Sequence, residues 1–412
     1  MKPLPVSPLA PETKQTLPPL AGCRMATREA GVRYKGRRDV LLMEFAEGTT
    51  VAGVLTRNQM PGAPVDWCRA HLPAGAARGL VVNAGNANVF TGAHGAQACA
   101  ETAKAAAEAL GCAPKQIMLA STGVIGEPLR YERIVDCLPA AMAGLTADAW
   151  EDAAATIMTT DTFPKAASRT ANIRGVPVTI NGIAKGSGMI APDMATMLSF
   201  VVTDAGLPAP VLQALLTRGV NRSFNAVTVD SDQSTSDAVL LFATGQGATH
   251  VTVDGPGDPA LRDFRAKLED LLRDLAMQVV RDGEGATKLI RIGVTGAASE
   301  RAAKRIAMTI ADSPLVKTAI AGEDANWGRI VMAVGKSGQK ADRDRLAISI
   351  GGVAVARDGV RVEGYDEEPV TAHMKGREID IDVDVGVGRG RATVWTCDLT
   401  HGYIDINADY RS

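Results

Sequence analysis

Short apolar runs, bounded by glycine, proline and polar punctuation, recur along this chain and alternate with longer stretches of helical period. Runs at 40–45, 50–56 and 80–82 are aliphatic and β-branched and predict strands. Further strands are predicted at 117–120, running into Ser121-Thr122-Gly123, at 176–180, and at 197–203. In the last third, short strands are predicted at 345–350, 352–356, 378–385 and 391–397. Helices fall between them. The alanine-rich stretch 95–110 is closed by Gly111, and others are predicted near 127–145, after Pro128, and at 147–158 and 299–311. A long helix opens at Asp258-Pro259 and runs to about Arg281, with Leu261, Phe264, Leu268, Leu271, Leu272, Leu275 and Val279 on one face. That stripe is core packing rather than a ligand box. The first 22 residues carry six prolines and predict an extended arm. Together these elements predict an α/β protein, sheets and helices in layers, with strand-rich segments on both sides of residue 195.

Composition narrows the function classes. At 412 residues and 46% hydrophobic, the chain can bury a large core in two domains or lobes. A formal net charge of −2 gives no basic surface for nucleic acid or an anionic membrane, and 4% aromatic residues leave little for base stacking. The six cysteines, at 23, 68, 99, 112, 137 and 397, form no CxxC pair and no metal-ligand spacing with the five histidines. They read as free thiols of a reducing compartment. No run approaches the ~18 apolar residues of a membrane span, and the N-terminus lacks the apolar core of a signal peptide. A cytoplasmic enzyme is expected.

The chemistry concentrates in Lys185-Gly-Ser-Gly-Met-Ile-Ala-Pro-Asp-Met-Ala-Thr-Met-Leu-Ser-Phe200. A hydroxyl residue directly after a small one, Ala195-Thr196, at a loop-to-strand junction is what intramolecular cleavage requires. The Thr196 hydroxyl attacks the Ala195 carbonyl, and hydrolysis of the ester frees Thr196 as an N-terminus. Its hydroxyl is then a nucleophile with its own α-amine as base, and that amine's ordinary pKa near ~8 suits the task. An ordinary glycine-rich loop with a buried threonine is the alternative. Thr122 and Gly123 close a strand in a turn able to aim donors at an oxyanion, although Ser-Thr-Gly turns are common. Thr159-Thr-Asp-Thr162 ends a helix with groups suited to a polar substrate or to local hydrogen bonds. Glu284, between two glycines, is expected exposed on a loop that could take a substrate ammonium. Asn83-Ala-Gly-Asn-Ala-Asn88 is a polar turn at a strand end, and 223–237 is dense in hydroxyls and carboxylates without EF-hand spacing. Gly335-Lys-Ser337 is no phosphate loop, because Ile330 stands where its first glycine is required.

The segment 185–198 resembles the cleavage site of the ornithine acetyltransferase (glutamate N-acetyltransferase, ArgJ) family, and blocks at 117–126, 159–165, 223–237, 282–288, 321–329 and 399–412 extend the resemblance over about 22–412. It implies an αββα-type sandwich that splits itself at Ala195–Thr196 into an α chain, 1–195, and a β chain, 196–412, assembled as a heterotetramer of two α and two β. The implied reaction moves the acetyl group of N2-acetyl-L-ornithine to L-glutamate through an acetyl ester of Thr196, in a ping-pong cycle of arginine biosynthesis. Thr122 and Gly123 would form the oxyanion hole. Thr162, Lys185, Thr196, Glu284, Asn407 and Ser412 would bind substrate. Neither metal nor organic cofactor is implied, and acetyl-CoA stays open as a further acetyl donor. Two other readings stand beside this one. A related self-cleaving aminopeptidase with an N-terminal Ser or Thr would pass the acyl group to water, and a chain that never cleaves would be a binding protein.

Overall fold

The computed structural model describes residues 5–191 and 197–408, and these fall into two compact units. The larger holds residues 12–225 and 232–279, the smaller the remainder of the described chain.

The larger unit is built on two sheets. β1 (Cys23–Arg28), β2 (Val40–Phe45), β4 (Gly79–Asn86) and β5 (Ile117–Val124) form one, in the order β1-β2-β4-β5, with β4 and β5 parallel. The other contains β3 (Thr50–Leu55), β6 (Lys165–Ile173), β7 (Val176–Lys185), β8 (Leu198–Thr203) and β9 (Ala238–Ala243), in the order β3-β9-β8-β7-β6. Strand residues alternate faces, and the inward sets of the two sheets meet. Leu41, Met43, Phe45, Leu80 and Met118 from the first lie against Val51, Ile183, Phe200, Leu240 and Phe242 from the second. Phe45 and Phe242 stack across this layer with centroids 4.2 Å apart. The opposite face of the first sheet buries Leu42, Val81 and Leu119 under helices Gly92–Leu110 and Tyr131–Ala143. On the opposite face of the second sheet, Leu271 and Leu275 of helix Arg262–Arg281 lie so close to Gly182 that a Cβ there would stand 2.9–3.0 Å from them. The order of layers is helix, sheet, sheet, helix, as the resemblance implied.

The seven stripe residues of the long helix are each at most 1% exposed, and burial of each stabilises by about 1.5–3 kcal/mol. Asp258 caps the lead-in turn by accepting the Ala260 amide.

In the smaller unit, β10 (Leu289–Ala297), β11 (Ala347–Ile350), β12 (Val353–Arg357), β13 (Val360–Arg361), β14 (Glu378–Asp384) and β15 (Gly390–Cys397) form one sheet in the order β13-β12-β11-β14-β10-β15. Its core packs Ile290, Ile292, Ile379 and Ile381 against Ile306 and Ile310 of helix Glu300–Ala311 and Ile330 of helix Trp327–Lys336.

Several expectations shift. The helix expected near 127–145 starts at Tyr131 instead, because Arg130, at ψ 68°, is still outside the helical region. The helix expected at 147–158 contracts to Trp150–Thr156. The N-terminal arm is irregular where described, yet it buries Leu9, Leu17 and Leu20. The six cysteines are all unpaired thiols, four of them buried. Among the described residues, no helix is long and apolar enough to cross a membrane.

Candidate active site

Strand β5 carries Thr122 and Gly123 just before its last residue, Val124, and β7 ends in Lys185, at neighbouring points of the larger unit. The Lys185 ammonium donates to the Thr122 hydroxyl at 3.1 Å and to that of Thr159 at 2.9 Å. Lys185 is only 2% exposed, so it is not the solvated surface lysine that its sequence context alone would suggest. A hydroxyl that accepts from an ammonium keeps its own proton to donate elsewhere. The arrangement therefore offers a fixed O–H donor backed by a buried positive charge, which suits an anion.

Gly123 is required by its backbone. Its φ of +131° lies in the left-handed region, and a Cβ would fall onto the Gly85 carbonyl carbon and within 2.6 Å of the Asn86 nitrogen. The neighbouring strand carries a register irregularity there, between Gly85 and Asn86. Gly123→Ala is expected to destabilise the larger unit by about 1–3 kcal/mol or more. Thermal unfolding beside a mild control such as Ala120→Gly checks this, and an unchanged Tm would show that the strand ends can separate freely.

The turn after helix Trp150–Thr156 is bound to the same place. Asp161 Oδ1 accepts the Gly186 amide and the Lys165 ammonium, each at 2.7 Å, while Oδ2 accepts the Thr159 amide at 3.0 Å. Thr160 and Ser187 share a hydrogen bond of 2.6 Å. The side chains of Lys165 and Asp161 are both completely buried. Burial pushes the Asp161 carboxyl up, but Lys165, Lys185 and the hydrogen bonds outweigh it and hold the group well below the usual carboxylate range. Thr162, at the end of this turn, is half-buried.

Glu284 and Asn407 come together in the smaller unit, where the Asn407 amide donates to Glu284 Oε2 at 2.7 Å. The expectation that Glu284 is exposed is corrected, since the residue is buried. Its loop lies against the C-terminal segment. The Gly285 carbonyl accepts the Thr400 hydroxyl at 2.6 Å, and a Cβ on Gly285 would stand 2.5 Å from the Tyr403 nitrogen. The C-terminal segment is helical over His401–Ala408. Ala195, Thr196 and Ser412 lie outside the described residues.

Late in the block 223–237 the resemblance leads one to expect an asparagine, and this chain has Asp237 instead, a mild departure to which the sequence assigns no role. This residue is fully buried just ahead of β9, and its Oδ1 accepts the Met197 amide at 2.7 Å. Burial pushes its carboxyl well above the ordinary value, against the Met197 amide, the Ser234 hydroxyl and Lys185.

Known proteins resemble this chain along nearly its whole length. The sequence model of the ArgJ family matches residues 24–412. A Gluconobacter oxydans protein named "Arginine biosynthesis bifunctional protein ArgJ" is 63% identical over 411 residues, covering 100% of this chain and 96% of that protein. A Rhizobium meliloti protein of the same name is 60% identical over 409 residues, covering 99% of each. Among solved structures, the Bacillus halodurans arginine biosynthesis bifunctional protein argJ matches with a TM-score of 0.50 and 43% identity, covering 52% of this chain and 99% of that one.

Proposed function

We propose that this chain, which belongs to the ArgJ family and is a transferase of arginine biosynthesis, moves the acetyl group of N2-acetyl-L-ornithine to L-glutamate. Thr196, freed by cleavage of the 195–196 bond, is the nucleophile. Its oxygen bonds to the acetyl carbon while its α-amine takes the hydroxyl proton. The tetrahedral intermediate then expels ornithine, whose amine receives that proton, and leaves an acetyl ester. The glutamate amine attacks the ester and regenerates the hydroxyl. Thr122 and Gly123 receive the oxyanion, a contribution of about 3 kcal/mol per donor in comparable sites. Thr162, Lys185, Glu284, Asn407 and Ser412 are the residues proposed to bind the amino-acid substrates. The chemistry needs no metal or organic cofactor. Acetyl-CoA is proposed as a second donor, in keeping with the word bifunctional in the relatives' names. The working form is a heterotetramer of two α and two β fragments in the cytoplasm.

The observation that carries this reading is the Lys185–Thr122 hydrogen bond. It joins a buried cation to the one hydroxyl beside Gly123, twelve residues ahead of Met197 along the chain. The B. halodurans polypeptide supports cleavage, because 99% of its length corresponds to only 52% of this chain, the share that a fragment starting at 196 would occupy. Intact mass tests both steps. The purified protein should appear as two fragments divided at 195–196, and incubation with acetylornithine alone should add about 42 Da to the C-terminal one. A single 43.0 kDa species that takes up no acetyl group would overturn the proposal.

A further inference from the structure

Between β1 and β2 the chain makes a loop, residues 29–39, that touches both halves of the candidate site in the larger unit. Asp39, 0% exposed, closes its base by accepting the Ala30 and Val32 amides, each at 2.7 Å. From that base the loop reaches three places. The Arg33 guanidinium pairs with Glu127, just beyond β5, at 2.9 Å. The Tyr34 ring covers Gly85 so closely that a Cβ on that glycine would stand 3.1 Å from a ring carbon. Gly85 in turn is the residue whose carbonyl leaves no room for a Cβ on Gly123. The Arg37 guanidinium stacks on the Tyr34 ring, 5.2 Å from its centroid, and donates to the Met158 carbonyl at 2.6 Å. Met158 leads directly into Thr159, whose hydroxyl accepts the Lys185 ammonium.

These contacts close a ring. Gly123 lies against Gly85, Gly85 against Tyr34, Tyr34 against Arg37, and Arg37 holds the turn that carries Thr159. Thr159 and Thr122 then share Lys185, which completes the circuit. β5 and β7 belong to different sheets, so the Lys185–Thr122 bond alone would leave their spacing to one long, flexible side chain. Arg37 adds a second tie between the same two parts. Its planar head stacks and donates at once, which an ammonium on a flexible stem does poorly. Rigidity here bears on rate, since a misplacement of about 1 Å in a catalytic constellation costs up to ~100-fold.

We propose that Arg37 is a positioning residue for the transfer reaction. Through Tyr34 and Met158 it fixes the Gly85–Gly123 contact relative to the Thr159–Lys185 pair, and so holds the Thr122 hydroxyl and the Gly123 amide on the developing oxyanion. The proposal rests on the reading of Thr122 and Gly123 as the oxyanion hole. Acting through the framework rather than on substrate, Arg37 bears on the chemical step and not on substrate affinity.

The test compares substitutions at 37 and 34, with rates expressed per site acetylated by acetylornithine in the intact mass, so that unfolded or uncut molecules are not counted. Arg37→Met keeps the stem and removes the planar head. It is expected to lose about 10- to 100-fold in kcat, with KM for acetylornithine within threefold of the wild type. Arg37→Lys keeps the charge and should lose nearly as much. Tyr34→Leu, which removes the ring, should match Arg37→Met, whereas Tyr34→Phe should stay within twofold of the wild type. A normal kcat in Arg37→Met overturns the inference, even beside a lowered Tm, because Arg37 would then be a structural tie alone. Full rescue by Arg37→Lys overturns it as well, since charge would suffice, and so does a raised KM with kcat unchanged. Should both substitutions at 37 fail to fold, equal kcat in Tyr34→Leu and Tyr34→Phe overturns it. Thr122→Val separates the inference from the reading beneath it. A normal kcat there removes the oxyanion hole and the inference with it, while a loss there beside a normal Arg37→Met removes the inference alone.

Discussion

Thr196→Ala should yield a protein that stays a single 43.0 kDa chain and transfers no measurable acetyl group. Loss of the nucleophile in a comparable acyl-transfer site costs on the order of 10⁶-fold in kcat. Here the same substitution also removes the hydroxyl that cuts the chain, so the amine that serves as base never appears. Thr196→Ser keeps a hydroxyl and should retain both activities in measurable degree. Cleavage is read by denaturing gel or mass, transfer by the appearance of N-acetylglutamate. An alanine variant that still splits would place the cleaving group elsewhere, and one that transfers at a normal rate would sink the acetyl-ester mechanism.

Lys165→Met should be the most damaging substitution for stability among the residues around the site, by about 3–5 kcal/mol. It removes a buried ammonium 2.7 Å from Asp161 and leaves the carboxylate in the same dry place. The effect should depend on pH with a definite sign. In the wild type the folded Asp161 lies below its ordinary value, so the group contributes stability above about pH 4 and loses it as pH falls toward the folded value. Without Lys165, burial dominates more and the folded value rises, so acid relieves the variant. The deficit in Tm should therefore be greatest near neutrality and narrow as the pH falls through 5 toward 4. A deficit constant over that range would mean that Lys165 matters by volume alone.

The two cases differ in how far the sequence discloses them. Thr196, Thr122, Gly123, Lys185 and Glu284 stand in local patterns: a small residue before a hydroxyl, a strand ending in glycine, a carboxylate between glycines. Their partners do not. Lys185 meets Thr122 across 63 positions, and the contact exists because β5 and β7 belong to different sheets that face one another. No periodicity states which sheet a strand will join. Asp161 was visible as one member of a polar cluster, but its clamp on Gly186 and Lys165 depends on where the turn docks. The burial of Asp237 was hidden for a related reason, since its environment is assembled by strands from three parts of the chain.

Among the elements, the aliphatic runs of β2 and β3 were legible because both patterns and punctuation agree. β1 was not: Cys-Arg-Met-Ala-Thr-Arg looks unremarkable alone and becomes a strand by pairing with β2, where Arg24 sits opposite Glu44 and meets it in an ion pair of 2.5 Å. β10 was overlooked too. It is flanked by both β14 and β15, so context rather than propensity defines it.

The five-stranded sheet of the larger unit draws β3, β6 and β7 from before residue 195 and β8 and β9 from after it, interleaved as β3-β9-β8-β7-β6. Neither set is a sheet by itself: β8 lies against β7 on one side and β9 on the other, and β9 joins β3. A cut at 195–196 would therefore leave two polypeptides with one hydrophobic core between them. Their separation is the same event as unfolding, and reassembly changes from a first-order process to a second-order one. The intact precursor should refold at a rate independent of concentration, whereas the cut enzyme should melt at a temperature that rises with its concentration. Processing would then be a one-way commitment, in which a molecule once active can be lost by dilution in a manner that its precursor cannot.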